Sequence, residues 1–383
     1  LAYTPFDDLA ARFDLVAERV ELHSRMGKRD LQLKDLNSLE QWAEQLKDTD
    51  RLAKELLLRS AYHFFIGSYQ EALEHAQKAE DTLSAVLTTE FAEYTQVVRV
   101  ISLLHLGRLD DAMVHALRTL ELDRKVGNRR EEGRILNAMG WVALEQNRPV
   151  VARQYFTDAL KIAHEVKDPG LESRVLNHLA KLEGEVNGNY AFAREYFEKS
   201  YQLAHDIGDR YMEVGALSNV GFAAGMQGDF DAARSYHEQA LSLAREIGDK
   251  LQEVYTLINL SAVSGLLNQA AAALQQTQRA VEVAQKISER SGEAWAMLYM
   301  GHAYLLEDEV QLAQSAYARS LAIREELKQA SLSMEAIAGL METHLRMGEI
   351  DSASREVEKI LQFLDGGSTL DGTDEPLRVY YTC

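Results

Sequence analysis

Three kinds of residue in this 383-residue sequence could do chemistry: histidines, carboxylates, and a row of asparagine, aromatic and arginine side chains. The eleven histidines recur with a spacing, His75 and His115 lying 40 apart and His164 and His205 41 apart. Metal ligands must converge to within about 2 Å of one ion, and equivalent positions a repeat apart do not converge. The acidic residues are spread as on solvated faces, and no pair is singled out. Phosphate-loop, dinucleotide, zinc-protease and serine-hydrolase signatures are all missing. The expectation is a protein without catalytic residues, bound metal or cofactor.

The row is more informative. Arg134, Asn137 and Trp141 are followed 40 residues on by Arg174 and Asn177, and then by Asn219, Phe222, Tyr255, Asn259, Trp295 and His302. An asparagine amide can satisfy both N–H and C=O of a bound backbone, aromatic rings give apolar anchors, and arginine can grip a carboxylate with two donors. On one face these residues would make a groove for a peptide or protein segment. The competing reading has the asparagines bonding neighbouring helix backbones and Trp141, Phe222 and Trp295 packed between repeats. The sequence leaves both readings open.

The elements that position this row are clearest in Asp209–Asp249. Small or apolar residues at Val214, Leu217, Val220, Gly221 and Ala224 form one stripe of a helix over roughly Tyr211 to Met226. Gln227-Gly228-Asp229 stops it, with Gly228 suited to the left-handed conformation and Asp229 to capping the next helix. That second helix, roughly Phe230 to Ile247, is expected to bury Ala233, Tyr236, Ala240, Leu241 and Ala244 before ending at Gly248-Asp249. Such a hairpin has two apolar sides and needs neighbours of its own kind.

Those neighbours are present. The mid-hairpin turn recurs at Gly27, Gly67, Gly107, Asn147, Gly188, Gly228, Asn268, Asp308 and Gly348, at intervals of 40 residues except for one of 41. Five residues beyond each marker stands an alanine, from Ala72 to Ala353, the first repeat having Gln32 instead. Seven residues further the series is Leu39, Ala79, Thr119, Ala159, Ser200, Ala240, Ala280, Ser320 and Ile360, again mostly small. The interval of 41 places one extra residue between Leu176 and Gly188, read as a local bulge in a helix or turn.

Glycine at the turn, alanine five later, and alanine or serine seven after that, with an aromatic between, resembles the tetratricopeptide repeat (TPR) in a variant with a longer second helix. The resemblance covers roughly residues 5–364 and implies an all-α fold, a right-handed α-solenoid of tandem antiparallel helix pairs whose first helices line a concave surface. About nine hairpins are expected over residues 1–364, with a HEAT-like array as the alternative. The repeats are also similar to those that follow the nucleotide-switch module in bacterial signalling ATPases of the STAND class. That similarity implies a sensor or regulatory arm of a larger protein.

The remaining features set limits. Sixty acidic against 41 basic residues give a net charge of −19, which disfavours a nucleic-acid or anionic-membrane surface because phosphate neutralisation needs clustered Lys and Arg. The single cysteine, Cys383, cannot form an intrachain disulfide, and no apolar run approaches a membrane span, so a cytoplasmic location is expected. Residues 365–383 read as a loop and the start of a further, truncated helix. Exposed terminal repeats make self-association the alternative to a peptide groove.

Overall fold

The computed structural model describes residues 8–26, 28–82, 90–287, 289–366 and 370. Among them stand eighteen α-helices and no strand. They pair in chain order: α1 (Leu9–Arg25) with α2 (Arg29–Leu46), α3 (Thr49–Phe65) with α4 (Tyr69–Thr82), and α5 (Glu90–His105) with α6 (Leu109–Val126). Next come α7 (Arg129–Glu145) with α8 (Pro149–Val166), α9 (Pro169–Lys181) with α10 (Tyr190–Asp206), and α11 (Arg210–Met226) with α12 (Phe230–Ile247). The last pairs are α13 (Lys250–Leu266) with α14 (Ala270–Lys286), α15 (Arg290–Leu306) with α16 (Val310–Glu326), and α17 (Ala330–Arg346) with α18 (Ile350–Asp365). This is an all-α array of helix pairs. Two compact units divide the chain, Leu1–Asn219 and Val220–Cys383, and each is described by itself.

The turn residues explain why the helices stop where they do. Gly67, Gly107, Gly188, Gly228 and Gly348 all have positive φ, and so do Asn147, Asn268 and Asp308 at the same register. Only glycine takes that conformation without cost, and asparagine and aspartate tolerate it best among the rest. The next helix starts on a side-chain cap: the amides of Ala232 and Gln252 donate to Asp229 and Asp249 at 3.2 and 3.0 Å. Pro149 and Pro169 each occupy the first helical position, where a missing N–H costs nothing.

Both small-residue series are buried. Every alanine from Ala72 to Ala353 in the first series is sealed, and Ser200 and Ser320 in the second turn their hydroxyls inward to the carbonyls of Ser173 and Ala294 at 2.8 Å. In α12 one expectation is corrected: Tyr236 and Leu241 are only half-buried, while His237 and Leu243 are buried in their place. In the first pair Gln32 is buried at the alanine register and receives Arg29 at 2.7 Å, which makes the larger side chain acceptable there. The extra residue between Leu176 and Gly188 is absorbed in a π-helical turn, Leu182–Val186, continuing α9. Its Glu183 is held by Arg153 and by Asn187 at 2.8 Å.

Neighbouring repeats are joined by a charge clasp that the sequence pattern does not single out. Glu132, Glu172, Glu213, Glu253 and Glu293 occupy one register in the first turn of α7, α9, α11, α13 and α15. Each is met by a side chain eight residues earlier: Arg124 at 2.8 Å, His164 at 3.1 Å, His205 at 3.0 Å, Arg245 at 3.0 Å and Gln285 at 3.1 Å. Arg129, Arg210, Lys250 and Arg290 add a bond from three residues earlier to four of them. Burial pushes the Glu132, Glu253 and Glu293 carboxyls up, but these cationic and amide donors outweigh it and hold all three below the usual carboxylate range. Residues 371–383, where the sequence predicts the start of a further helix, lie outside the described residues; Leu370 packs with Ile337 and Ile360.

Candidate functional site

In the first unit the predicted row lies on α7, α9 and α11. Asn137 is buried, and its carboxamide oxygen accepts a bond from Nδ1 of His178 at 2.9 Å. His178 therefore carries its proton on Nδ1 and leaves Nε2 as an acceptor. Burial first, then the positive charges of Lys181 and Arg174, hold the His178 imidazole down to a pKa of about 3, so it is neutral throughout the physiological range. One repeat on, the Asn219 carboxamide donates to Asn177 at 2.8 Å. These asparagines thus tie neighbouring first helices together through their side chains.

Trp141 sits in a run of rings that crosses repeats. Tyr69 stacks on His105 at 4.3 Å between centroids, His105 meets Trp141 edge-on at 5.3 Å, and Trp141 lies 5.1 Å from His178. His178 in turn abuts the buried Phe156 at 5.5 Å. Burial and then Lys181 hold His105 below its ordinary pKa, so the run is uncharged around neutrality. Trp141 is half-buried, and its indole N–H donates to Glu145 at 3.2 Å. Trp141 and Asn137 were legible in the sequence, whereas Tyr69, His105 and His178 were missed. The signal available for His178 was its place 41 residues after Asn137, next to Asn177 of the predicted row.

The two arginines of the row are engaged. Arg134 donates to Glu131 at 2.5 Å and lies 3.7 Å from Asp168, the residue that caps α9. Arg174 reaches the Met212 sulfur at 3.5 Å. At the edge of the same unit Phe65, under the Arg29 guanidinium at 4.7 Å, meets Tyr211 edge-on at 5.6 Å.

In the second unit Phe222 is exposed on α11, and Asn259 is half-buried on α13. Tyr255 bonds to Glu289, whose carboxyl is pushed up by burial against the opposing pull of the Gly292 and Ser291 amides and of Arg324. Arg324 is fully buried where the corresponding repeats have Ala163, Ala204, Ala244 and Ala284. It donates to Gln329 at 2.6 Å and Ser291 at 3.0 Å, and its guanidinium covers the Trp295 ring at 4.6 Å. His302 bonds through Nδ1 to the Tyr317 hydroxyl at 2.7 Å. Tyr255, Trp295 and His302 are thus held in polar networks of their own unit, and Phe222 is the most open of the predicted residues there. Among the described residues no group of three or more His, Cys, Asp or Glu is arranged to hold a metal ion, and no helix is long and apolar enough to cross a membrane.

Comparison with known proteins agrees with this architecture. Residues 95–165, 171–246 and 213–286 match the family model of the tetratricopeptide repeat. No curated protein matches the sequence. Similar solved structures include a Rap protein complexed with competence and sporulation factor, with a TM-score of 0.64 and 14% identity over 94% of this chain and 99% of that one. The apo form of the quorum sensor NprR from B. thuringiensis gives a TM-score of 0.62 and 14% identity over 90% and 99% of the two chains. A signal transduction ATPase with numerous domains (STAND) from Pyrococcus horikoshii, which has a tetratricopeptide repeat sensor, gives 0.62 and 16% over 87% of this chain and 52% of that one. The chain thus spans about half the length of that ATPase, and at these identities the likeness is one of fold. Residues 95–165 and 171–286 of this chain therefore carry tetratricopeptide repeats, within helix pairs that keep the same spacing along the described residues.

Proposed function

We propose that the chain is a non-catalytic scaffold that binds a peptide or protein segment on the face shared by its first helices. The observation that carries this reading is the run of His105, Trp141 and His178 on α5, α7 and α9, with Tyr69 at the start of α4 stacked on its end, uncharged near neutrality and joined to the Asn137 amide. Tyr69, Trp141 and His178 are half-buried and His105 exposed, and rings held by their neighbours offer contact area with less entropy lost on binding. Asn137 holds the His178 ring in place, Arg134, Arg174, Asn177 and Asn219 belong to the first unit with it, and Phe222, Tyr255, Asn259, Trp295 and His302 are proposed as contact residues of the second unit. The fold shared with the repeat sensor of a STAND ATPase supports a place as the sensor or regulatory arm of a larger cytoplasmic signalling protein.

A second reading, self-association, is favoured by one observation: Leu15, Leu22, Met26 and Leu31 are exposed on the first helix pair. Affinity capture from host-cell lysate on the immobilised chain separates the two. A distinct partner retained by the parent and lost by a Trp141→Ala, Phe222→Ala variant of unchanged helicity is the expected result. Recovery of the chain's own copies alone, or an identical set from parent and variant, would contradict the scaffold reading.

A further inference from the structure

The second unit exposes a periodic apolar row that none of the polar networks above uses. Met226, Leu266 and Leu306 stand 40 residues apart, each at the last turn of the first helix of its repeat, and are 50%, 66% and 44% exposed. Phe222, one turn before Met226, is 40% exposed, and Leu345 in the last repeat 47%. Isolated exposed leucines are ordinary on a surface, but one register of three successive repeats carrying only large apolar side chains is a patch. The helices that bear it lie side by side: Ala224 of α11 packs with Val263 of α13, and α13 contacts α15.

The surroundings of the row say what would cover it. The chain leaving Leu306 is the exposed run Glu307-Asp308-Glu309, the chain leaving Met226 reaches Asp229, and beside Leu345 lie Glu342 and Glu349. Of the cations there, Arg346 is matched by Glu342 at 2.8 Å and Asp308 at 3.7 Å and His344 by Glu349 at 2.7 Å, while the chain leaving Leu266 is the uncharged Leu267-Asn268-Gln269, where Gln269 accepts a bond from Arg234 at 3.2 Å. An apolar row with an acidic border repels anionic surfaces and complements a segment that is apolar along one side and basic along the other. Contacting helices are about 8–10 Å apart, close to the spacing of residues seven apart on a helix, so a helical segment can seat one apolar side chain per repeat.

We infer that the ends of the first helices in residues 220–383 form a docking row for a cationic amphipathic helical segment of a partner protein. The inference rests on the scaffold reading and adds to it the chemistry of the bound segment and a second place of contact. The test is fluorescence anisotropy of three labelled peptides against the full chain: a Leu/Lys amphipathic helix, the same pattern in Leu/Glu, and a Ser/Lys control. Binding of the Leu/Lys peptide alone is expected. Its Kd should rise at least tenfold with Met226→Ser, Leu266→Ser and Leu306→Ser together, and a Glu307→Lys, Asp308→Lys, Glu309→Lys chain should prefer the Leu/Glu peptide.

The inference is overturned if the Leu/Lys peptide does not bind, binds the serine variant equally, or binds no better than the Leu/Glu or Ser/Lys peptide. Sedimentation that shows a dimer dissolved by the serine substitutions would make a second copy of the chain the occupant instead, and so overturn it too. Capture of a Trp141-dependent partner by a chain that ignores the Leu/Lys peptide would defeat this inference and leave the scaffold reading standing. Loss of all capture with peptide binding intact would defeat the partner site on the ring run and leave the docking row as the scaffold's binding face.

Discussion

At the scale of single residues, His237 shows most plainly how one side chain can be at odds with its repeat. The same register holds Phe156, Phe197 and Tyr317 in other repeats, all buried, with Phe156 and Tyr317 against Gly140 and Gly301 of the first helix of their own hairpin. His237 is equally buried, its ring fills the space beside Gly221, and its Nδ1 has no hydrogen-bond partner. A buried donor or acceptor left unmade costs roughly 1–3 kcal/mol. Burial also holds the imidazole down to a pKa of about 4, against 6.5 ordinarily. Because the unfolded chain takes up the proton first, the contribution is neutral above the ordinary value and becomes destabilising as the pH falls from there towards 4, by about 2 kcal/mol at pH 5. His237→Phe should therefore raise stability at pH 7 by about 1 kcal/mol and by more at pH 5. Urea denaturation of both proteins at the two pH values checks this, and an equal gain at both would refute the buried neutral histidine. The sequence showed Asn137, Asn219 and Trp141 as one row but not that His178 and Asn177 are the side chains they meet. Those partners are 41 and 42 residues away, so a strict 40-residue register does not pair them, and the inserted residue lies within the second interval only.

At the scale of elements, hairpins close by exchanging bulk between two registers 16 residues apart. Gly140 faces Phe156 and Gly301 faces Tyr317, each so closely that an added methyl group would lie 2.4–2.9 Å from the ring. Where the first helix carries Val100 instead, the second carries Ala116, and both are buried. Gly140→Ala should gain up to about 1 kcal/mol in helix propensity and lose about 1–3 kcal/mol to overpacking, for a net fall in Tm. Gly215, which faces open space within its helix, is the matched control, and Gly215→Ala should raise Tm. Thermal melts in which Gly140→Ala matches Gly215→Ala would show that the ring is not held against the glycine. The helices, their turns and the buried alanines were legible because each rests on a short-range rule repeated nine times. The Glu132, Glu253 and Glu293 clasp was not, because acidic residues abound in this sequence and only the packing shows which of them are buried.

At the scale of the whole chain, two compact units carry different faces on the same kind of helix. The first presents a neutral run of rings knitted by amides, and the second an exposed apolar row with an acidic border. The sequence indicated the architecture of both from one period. It could not distinguish a ring open to a ligand from one under a buried arginine, as Trp295 lies under Arg324, because burial depends on a neighbour that departs from the repeat. The central claim, that a partner segment lies on the first-helix face of the ring run, is tested most directly by site-specific photocrosslinking in host-cell lysate. With p-benzoylphenylalanine in place of Trp141, the chain is expected to yield a discrete covalent partner adduct, and with the same residue in place of the exposed Gln154 on α8 it should yield none. Adducts at position 154 and none at 141 would place any partner on the second helices and contradict the account.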